Sequence, residues 1–215
     1  MQPSSIYTSL RKQYGSSHSW WSARSRFEVI VGAILTQNTS WRNVESAISN
    51  LRRADMIKIE KMANADLLQL KRLVKPSGFY NQKAHRLRDI AKHILVKWNG
   101  DLDKFFKRPV WQIREELLDL KGVGPETADS ILLYAGNKSV LPVDAYTFRI
   151  INRLNGTKLK KYSELQSSLY KSLPHNVKLF KEIHGLIVEH AKAVCKAKPV
   201  CRQCILAGGC ASRKL

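Results

Sequence analysis

Acidic residues are scarce in this chain. Only 17 Asp+Glu stand against 37 Lys+Arg in 215 residues. The deficit leaves a formal net charge of +20 and a pI near 10.0, which disfavours cationic partners and favours a polyanion. Nucleic acid is the expected polyanion; an anionic membrane surface and simple solubility are the competing readings. No apolar run is long enough to span a bilayer, so a helical membrane protein is excluded. The N-terminal Met1-Gln-Pro-Ser-Ser-Ile6 lacks the basic region and apolar block of a signal peptide, so a cytoplasmic, nucleoid-associated protein is expected. Cysteine is absent before Cys195, which rules out a disulfide framework through the body of the chain. Alternating apolar and polar residues never run long enough for a half-buried strand. There is no internal repeat and no low-complexity tract.

What is present is helical. With 44% hydrophobic residues, a chain of this length can bury a good core. Ile30, Ala33, Ile34 and Leu35 form one apolar stripe. Ala47, Ile48 and Leu51 form a second. Leu67, Leu68, Leu70, Leu73 and Val74 form a third, and Leu87, Ile90, Ala91, Ile94 and Leu95 a fourth. Turn signals separate them at Lys75-Pro-Ser-Gly78, Asn99-Gly100 and Gly136-Asn137. The basic run Lys158-Leu-Lys-Lys161 reads as a solvated loop.

The most informative stretch runs from Leu120 to Asp144. Gly122 and Gly124 flank Val123, a spacing that lets the backbone turn sharply and approach another molecule. Pro125 suits the first turn of a helix. Glu126, Thr127 and Ala128 then open one whose apolar face includes Ile131, Leu132 and Ala135. Ile113 to Leu120 reads as an amphipathic helix before the turn. The unit is therefore helix, glycine hairpin, helix, and the amides at the second helix start can hold a phosphate. A ligand-free turn is the plain alternative, because Gly-x-Gly alone is a weak signal.

The four cysteines, Cys195, Cys201, Cys204 and Cys210, are spaced C-x5-C-x2-C-x5-C. Four clustered thiols in a reducing compartment usually hold metal. Structural zinc more often uses two close pairs separated by a longer span, whereas a compact loop can supply all four thiolates of a [4Fe-4S] cluster. The cluster is favoured over zinc, and both over disulfides. Lys196, Lys198 and Arg202 are interleaved with these cysteines; they would offset a negative cluster and could reach DNA phosphates.

The glycine hairpin, the Asp some twenty residues later and the cysteine loop resemble the endonuclease III superfamily of helix-hairpin-helix DNA glycosylases, over nearly the whole chain. Phe27 to Trp41 is similar to that family's first barrel helix and wedge loop. Trp20-Trp21, Lys75-Pro-Ser-Gly-Phe-Tyr-Asn-Gln-Lys-Ala84 and His184-Gly-Leu-Ile-Val-Glu189 are similar to its endonuclease-III-like 3-methyladenine DNA glycosylase branch. The resemblance implies an all-α, two-lobed fold with a C-terminal [4Fe-4S] loop. Residues 23–136 would form a helical barrel domain containing the hairpin, with residues 1–22 and 137–215 forming the second lobe and the active site lying between the lobes. The first cysteine gap is one residue shorter than the family's usual six.

The resemblance also implies the chemistry. Breaking an N-glycosidic bond passes through an oxocarbenium-like sugar, which needs a nearby anion. Asp144, just before the helical stretch Ala145 to Leu154, is placed for it; Asp there also caps helices well, and both roles can hold. Bifunctional members carry a lysine where this chain has Glu126, and that lysine attacks C1′ as an amine. Glu126 cannot, so the expected reaction is monofunctional hydrolysis that leaves an abasic site. Gln37 and Asn38 match the DNA wedge. Trp20, Trp21, Trp41 and Glu126 are the base-pocket candidates, and an aromatic face attracts a cationic alkylpurine by about 1–2 kcal/mol. Lys121, Gly122, Val123, Gly124 and Thr127 are expected at the DNA backbone, with a monovalent cation at the hairpin. Where some members have a pocket lysine after the His-Gly pair, this chain has Leu186. His184 and His190 read as helix-packing residues. The expected partner is double-stranded DNA with a damaged base, bound by a monomer. The alternatives are a bifunctional glycosylase/lyase for oxidised pyrimidines, a glycosylase for deaminated or mismatched bases, and a non-catalytic DNA-binding iron–sulfur protein.

Overall fold

A computed structural model describes residues 1–16 and 22–213. Among them every regular element is helical and no strand occurs, in line with the all-α expectation. No helix among them is long and apolar enough to cross a membrane. The chain divides into two compact units, one made of Met1–Ser22 with Ser139–Leu215, the other of Ala23–Lys138. Helix α1 (Pro3–Tyr14) belongs to the first. The second then runs through α2 (Arg26–Leu35), α3 (Trp41–Arg53), α4 (Ile59–Ala63), α5 (Leu67–Val74), α6 (Tyr80–Trp98), α7 (Leu102–Lys107), α8 (Val110–Leu118) and α9 (Pro125–Tyr134).

In the second unit α2 is the central element. Residues Phe27 to Leu35 are all buried, as expected of a helix that is apolar all round but for Glu28. Its start is fixed by the Ser25 hydroxyl, which accepts from Glu28 N at 3.1 Å. Buried Glu28 is paired with Arg52 of α3, whose Nε donates to Oε2 at 2.9 Å. Helix α3 buries Val44, Ala47, Ile48 and Leu51, an i, i+3, i+4, i+7 stripe. Helix α5 corrects one expectation. Leu70 and Val74 are buried, but Leu68 is 60% exposed, because the helix presents only one face to α3 and α6.

Helix α8, the first arm of the hairpin, runs Val110–Leu118 rather than to Leu120. It is anchored to α6 through buried Glu116. Oε1 meets His93 Nε2 and accepts from Trp98 Nε1, each at 2.6 Å; Oε2 accepts from Arg108 Nη1 at 2.8 Å and meets Lys97 Nζ at 3.0 Å. The Arg108 guanidinium lies 3.9 Å over the Trp98 ring. Burial pushes the Glu116 carboxyl up, but its four donors outweigh burial and bring it down to about 2. A depressed carboxyl stabilises the fold above its unfolded pKa near 4.5, and that contribution is lost as pH falls toward 2. Glu116→Gln should therefore remove a few kcal/mol of stability at pH 6 (about 3 by the size of the shift). The gap from wild type should narrow as urea unfolding is repeated down to pH 3.

Helix α9 ends at Tyr134, and Gly136 lies just beyond it. A Cβ there would stand 2.8 Å from Leu132 O and 2.7 Å from Phe106 Cδ1, so only glycine lets the chain leave so close to α7 and to its own last turn.

The first unit resumes with α10 (Ala145–Asn155), α11 (Tyr162–Tyr170) and α12 (Val177–Ala193). Helix α12 packs against α1 and α10. Tyr7 of α1 donates its hydroxyl to Glu182 Oε2 at 2.8 Å. The irregular segment entering α10 is held by α11. Leu141 N donates to Tyr170 Oη at 3.0 Å, Val143 N to Tyr162 Oη at 3.2 Å, and Gln166 Nε2 to Leu141 O at 2.9 Å. These bonds fix the approach of the chain to Asp144.

Candidate nucleic-acid interface and active site

The hairpin has the geometry its glycines permit. Gly122 takes φ +84°, a left-handed conformation that favours glycine. Val123 N donates to Leu120 O at 3.0 Å, closing the turn, and the Val123 side chain plugs it from below at 7% exposure. Pro125 is the first helical residue of α9, with Gly124 as its extended N-cap. Lys121, Gly122, Gly124 and Glu126 are exposed and Thr127 is buried. The turn thus presents a cation and the open amides of a helix start.

Gln37 is tied to this hairpin. Its Nε2 donates to Gly122 O at 2.9 Å and to Thr127 Oγ1 at 3.0 Å, and its Oε1 accepts from Arg86 Nη1 at 2.5 Å. Arg86 also crosses the hairpin, since a Cβ on Gly122 would fall 2.0 Å from its Nε. The residue expected at the wedge is therefore a clasp between the α2–α3 loop, α6 and the hairpin. Asn38 beside it is exposed and left-handed, with φ 52°. Gln37→Ala should loosen the turn by about 1–2 kcal/mol, the worth of a few partly exposed hydrogen bonds. Amide exchange across residues 121–127 should quicken, with the helix α3 amides unchanged as the internal control.

Two features here escape sequence reasoning. Lys83 is among the most deeply buried side chains, at 1% exposure. Its Nζ donates to Leu35 O at 2.8 Å and to Ser77 O at 2.7 Å. Burial, and after it Arg86, bring its pKa down to about 8. It joins the C-terminal end of α2, where a cation is favoured, to the turn before α6. That turn then carries Gly78 at φ 67° and Phe79 at φ 47°, with the Phe79 ring 61% exposed. A bulky residue in the left-handed region is strained, and here the strain presents an aromatic ring to solvent. Sequence offered only the Gly-Phe-Tyr-Asn run as a signal for either feature.

Among the pocket candidates, Trp41 is half-buried and donates Nε1 to Glu45 Oε1 at 2.9 Å, one turn along α3. Glu126 lies exposed in the first turn of α9. Trp20 and Trp21 fall outside the described residues.

In the first unit, Asp144 caps α10. Its Oδ1 accepts from both Thr147 N and Thr147 Oγ1 at 2.7 Å, and it is 8% exposed. Oδ2 faces His184 Nε2 of α12 at 3.8 Å. Beyond the helix packing expected of His184, α12 lies on α10 so as to turn its imidazole toward the carboxylate. Burial pushes the His184 pKa down, and Asp144 pulls it up. His190 is buried, with Nδ1 3.0 Å from Tyr14 Oη and Nε2 3.4 Å from Cys204 Sγ. Leu186, one helical step beyond His184-Gly185, is fully buried in the core.

The cysteine loop follows α12. All four cysteines are free thiols, and all four line one cavity. Burial, and then the neighbouring cysteines, push the Cys204 thiol up. Two arginines of α10 hold the loop by its main chain. Arg149 Nε donates to Cys195 O at 2.8 Å; Arg153 Nη1 donates to Lys196 O at 2.6 Å and Nη2 to Ala197 O at 2.9 Å. Arg153 Nη1 also reaches Cys195 Sγ at 3.4 Å. Among the described residues no three His, Cys, Asp or Glu side chains converge as they would on a single metal ion. The thiols instead stand around the cavity wall. Lys196, Lys198 and Arg202 project from the loop, exposed.

Comparison with known proteins matches residues 31–175 to a family described as HhH-GPD superfamily base excision DNA repair protein. The chain is 46% identical over 211 residues to "Putative DNA repair glycosylase MJ1434" of Methanocaldococcus jannaschii, covering 97% of this chain and 95% of that protein. It is 34% identical over 185 residues to endonuclease III of Thermotoga maritima, covering 86% and 82% of the two chains. Among solved structures it is similar to the H. pylori 3-methyladenine DNA glycosylase MagIII bound to 1,N6-ethenoadenine. The TM-score is 0.80 at 33% identity, over 89% of this chain and 98% of that one. It shares its fold with a trapped endonuclease III–DNA covalent intermediate, with a TM-score of 0.84 at 21% identity, over 99% and 97%.

Proposed function

The chain belongs to the HhH-GPD superfamily of base excision DNA repair proteins, and from that premise we propose that it is a monofunctional glycosylase that removes alkylated purines such as 3-methyladenine by hydrolysis. The observation that carries the monofunctional reading is Glu126. It occupies the first turn of α9, beside the hairpin, where a lyase needs an attacking amine. The substrate class draws its support from the similarity to the H. pylori 3-methyladenine enzyme and from the aromatic candidates Trp20, Trp21 and Trp41, whose faces suit a cationic base. Such a base leaves readily, so a carboxylate to stabilise the sugar cation is the main requirement. Asp144 supplies it, held rigid by Thr147.

The remaining residues prepare the DNA. Lys121 and the amides opening α9 receive a backbone phosphate, with a monovalent cation at the hairpin carbonyls. A duplex base must leave the stack before it can be cut out. Exposed Asn38 and the strained, exposed ring of Phe79 are suited to fill the gap; they flank the Lys83 clamp that joins their two loops. Cys195, Cys201, Cys204 and Cys210 fit a [4Fe-4S] cluster, since four free thiols around one cavity make its donor set. When bound, the cluster would cross-link the loop and hold the Lys196, Lys198 and Arg202 cations for the phosphodiester backbone. The protein acts as a monomer on the nucleoid.

The test uses anaerobically purified protein and alkylated duplex DNA, with chromatography of released bases and strand breaks scored with and without hot alkali. Release of 3-methyladenine, with breaks only after alkali, is expected. Release of an oxidised pyrimidine instead, with breaks lacking alkali, would overturn the reading. Iron and acid-labile sulfide in a one-to-one ratio, about four of each per chain, would identify the cluster; zinc alone would refute it.

A further inference from the structure

The two oxygens of the Asp144 carboxylate are used differently. Oδ1 takes both the Thr147 amide and the Thr147 hydroxyl at 2.7 Å, so it is committed to capping α10. Oδ2 is turned to His184 Nε2, 3.8 Å away. That separation is too long for a direct hydrogen bond. Two atoms so spaced can each lie about 2.8 Å from one oxygen set beside the pair, subtending roughly 85° at it. We propose that Asp144 Oδ2 and His184 Nε2 together seat the water that attacks the sugar, and that His184 accepts its proton. The inference rests on the glycosylase reading of Asp144 given above.

The step balances without a further reactant. The C1′–N bond breaks and its electron pair leaves with the purine, which departs neutral if it was an alkylated cation. The sugar left behind is electron-poor and is stabilised by the Asp144 carboxylate. A lone pair of the seated water forms the C1′–O bond. The proton lost from that water passes to His184 Nε2, giving an imidazolium beside a carboxylate, and then to solvent. Nε2 must carry a lone pair at the start, so the neutral ring holds its hydrogen on Nδ1. Burial favours that neutral ring before the reaction, and Asp144 favours the charged ring after it. Both groups sit on firm supports. Asp144 is bonded within its own helix, and His184 lies mid-helix in α12, between buried Ile183 and Gly185.

Wild type, Asp144→Asn, His184→Ala and His184→Gln would be compared by single-turnover base release from duplex DNA that is alkylated, deaminated or mismatched. Affinity for a duplex containing a tetrahydrofuran abasic analogue would be measured alongside. His184→Ala should slow release by about 100-fold or more, the range of general-base catalysis, with duplex affinity unchanged. Added imidazole should recover part of the rate in His184→Ala and none in Asp144→Asn. His184→Gln, which can hold a water but cannot take its proton, should fall between wild type and His184→Ala. A His184→Ala rate within twofold of wild type, with Asp144→Asn inactive, would overturn this inference alone. A slow His184→Ala that imidazole does not rescue would make the histidine structural and overturn it too. Should His184→Ala fail to fold, His184→Gln decides: a wild-type rate refutes the proton transfer. No release from any duplex by wild type would take down the glycosylase reading and this inference with it, whereas an active Asp144→Asn would overturn the role of Asp144, and this inference, but leave the glycosylase reading standing.

Discussion

Alkylated duplex DNA should keep its damaged bases when Asp144 is replaced by asparagine. The single-turnover rate of release is expected to fall about 100- to 1000-fold, the loss typical when one preorganised electrostatic group is removed from a transition state. The substitution separates the two duties of this residue. Asn caps helices about as well as Asp, and its side-chain oxygen can still accept from Thr147 N, 2.7 Å away in the native protein. Helix α10 should therefore persist, with the melting temperature and the affinity for an abasic-analogue duplex close to wild type. What is lost is the negative charge that faces His184 and that we propose stabilises the sugar cation. A variant that still releases base at the native rate would show that Asp144 is a cap and nothing more.

Glu126→Lys should do the reverse and add an activity. It places an amine in the first turn of α9, where the partial positive charge of the helix start lowers the amine's pKa and raises its nucleophilic fraction. Borohydride should then trap a covalent protein–DNA complex that wild type does not form, and strand breaks should arise without alkali. Base release is expected to continue, because Asp144 is untouched. If wild type itself is trapped, an amine elsewhere does the work. Exposed Lys121 in the hairpin would be the first to replace.

Much of the fold could be read from local signals. Pro125 opening α9, Gly122 in a left-handed turn and Asp144 capping α10 each follow from what that residue type does to the backbone beside it. The stripes on α2, α3 and α6 follow from period alone. Where local signals failed, the cause was a distant partner. Leu68 fits the apolar stripe of α5 by spacing, yet faces solvent, because which residues of a stripe are covered depends on the helices that come to lie on it. His184 and Asp144 are forty residues apart, and only the packing of α12 on α10 turns one toward the other. Burial of Lys83 was not legible, since nothing near it in sequence foretells the two carbonyls that accept its ammonium. Gln37 was legible as a residue of the wedge loop but not as a clasp, because its partners Gly122 and Thr127 come from the hairpin. The left-handed Phe79 was hidden for a related reason. Strain at a bulky residue is imposed by surrounding structure, not by its own preference.

Arg149 and Arg153 grip the cysteine loop through the carbonyls of Cys195, Lys196 and Ala197. Every residue type offers a carbonyl, so apart from the Arg153 Nη1 contact with Cys195 Sγ this hold is blind to the side chains it carries. Descendants of this chain are therefore free to exchange lysine for neutral or acidic residues between the cysteines, and so to drift in the charge of the loop, while inheriting the same anchorage. Heritable change at the two arginines has no such freedom, and mutational surveys of the region should find tolerance in the loop and intolerance on the helix that holds it.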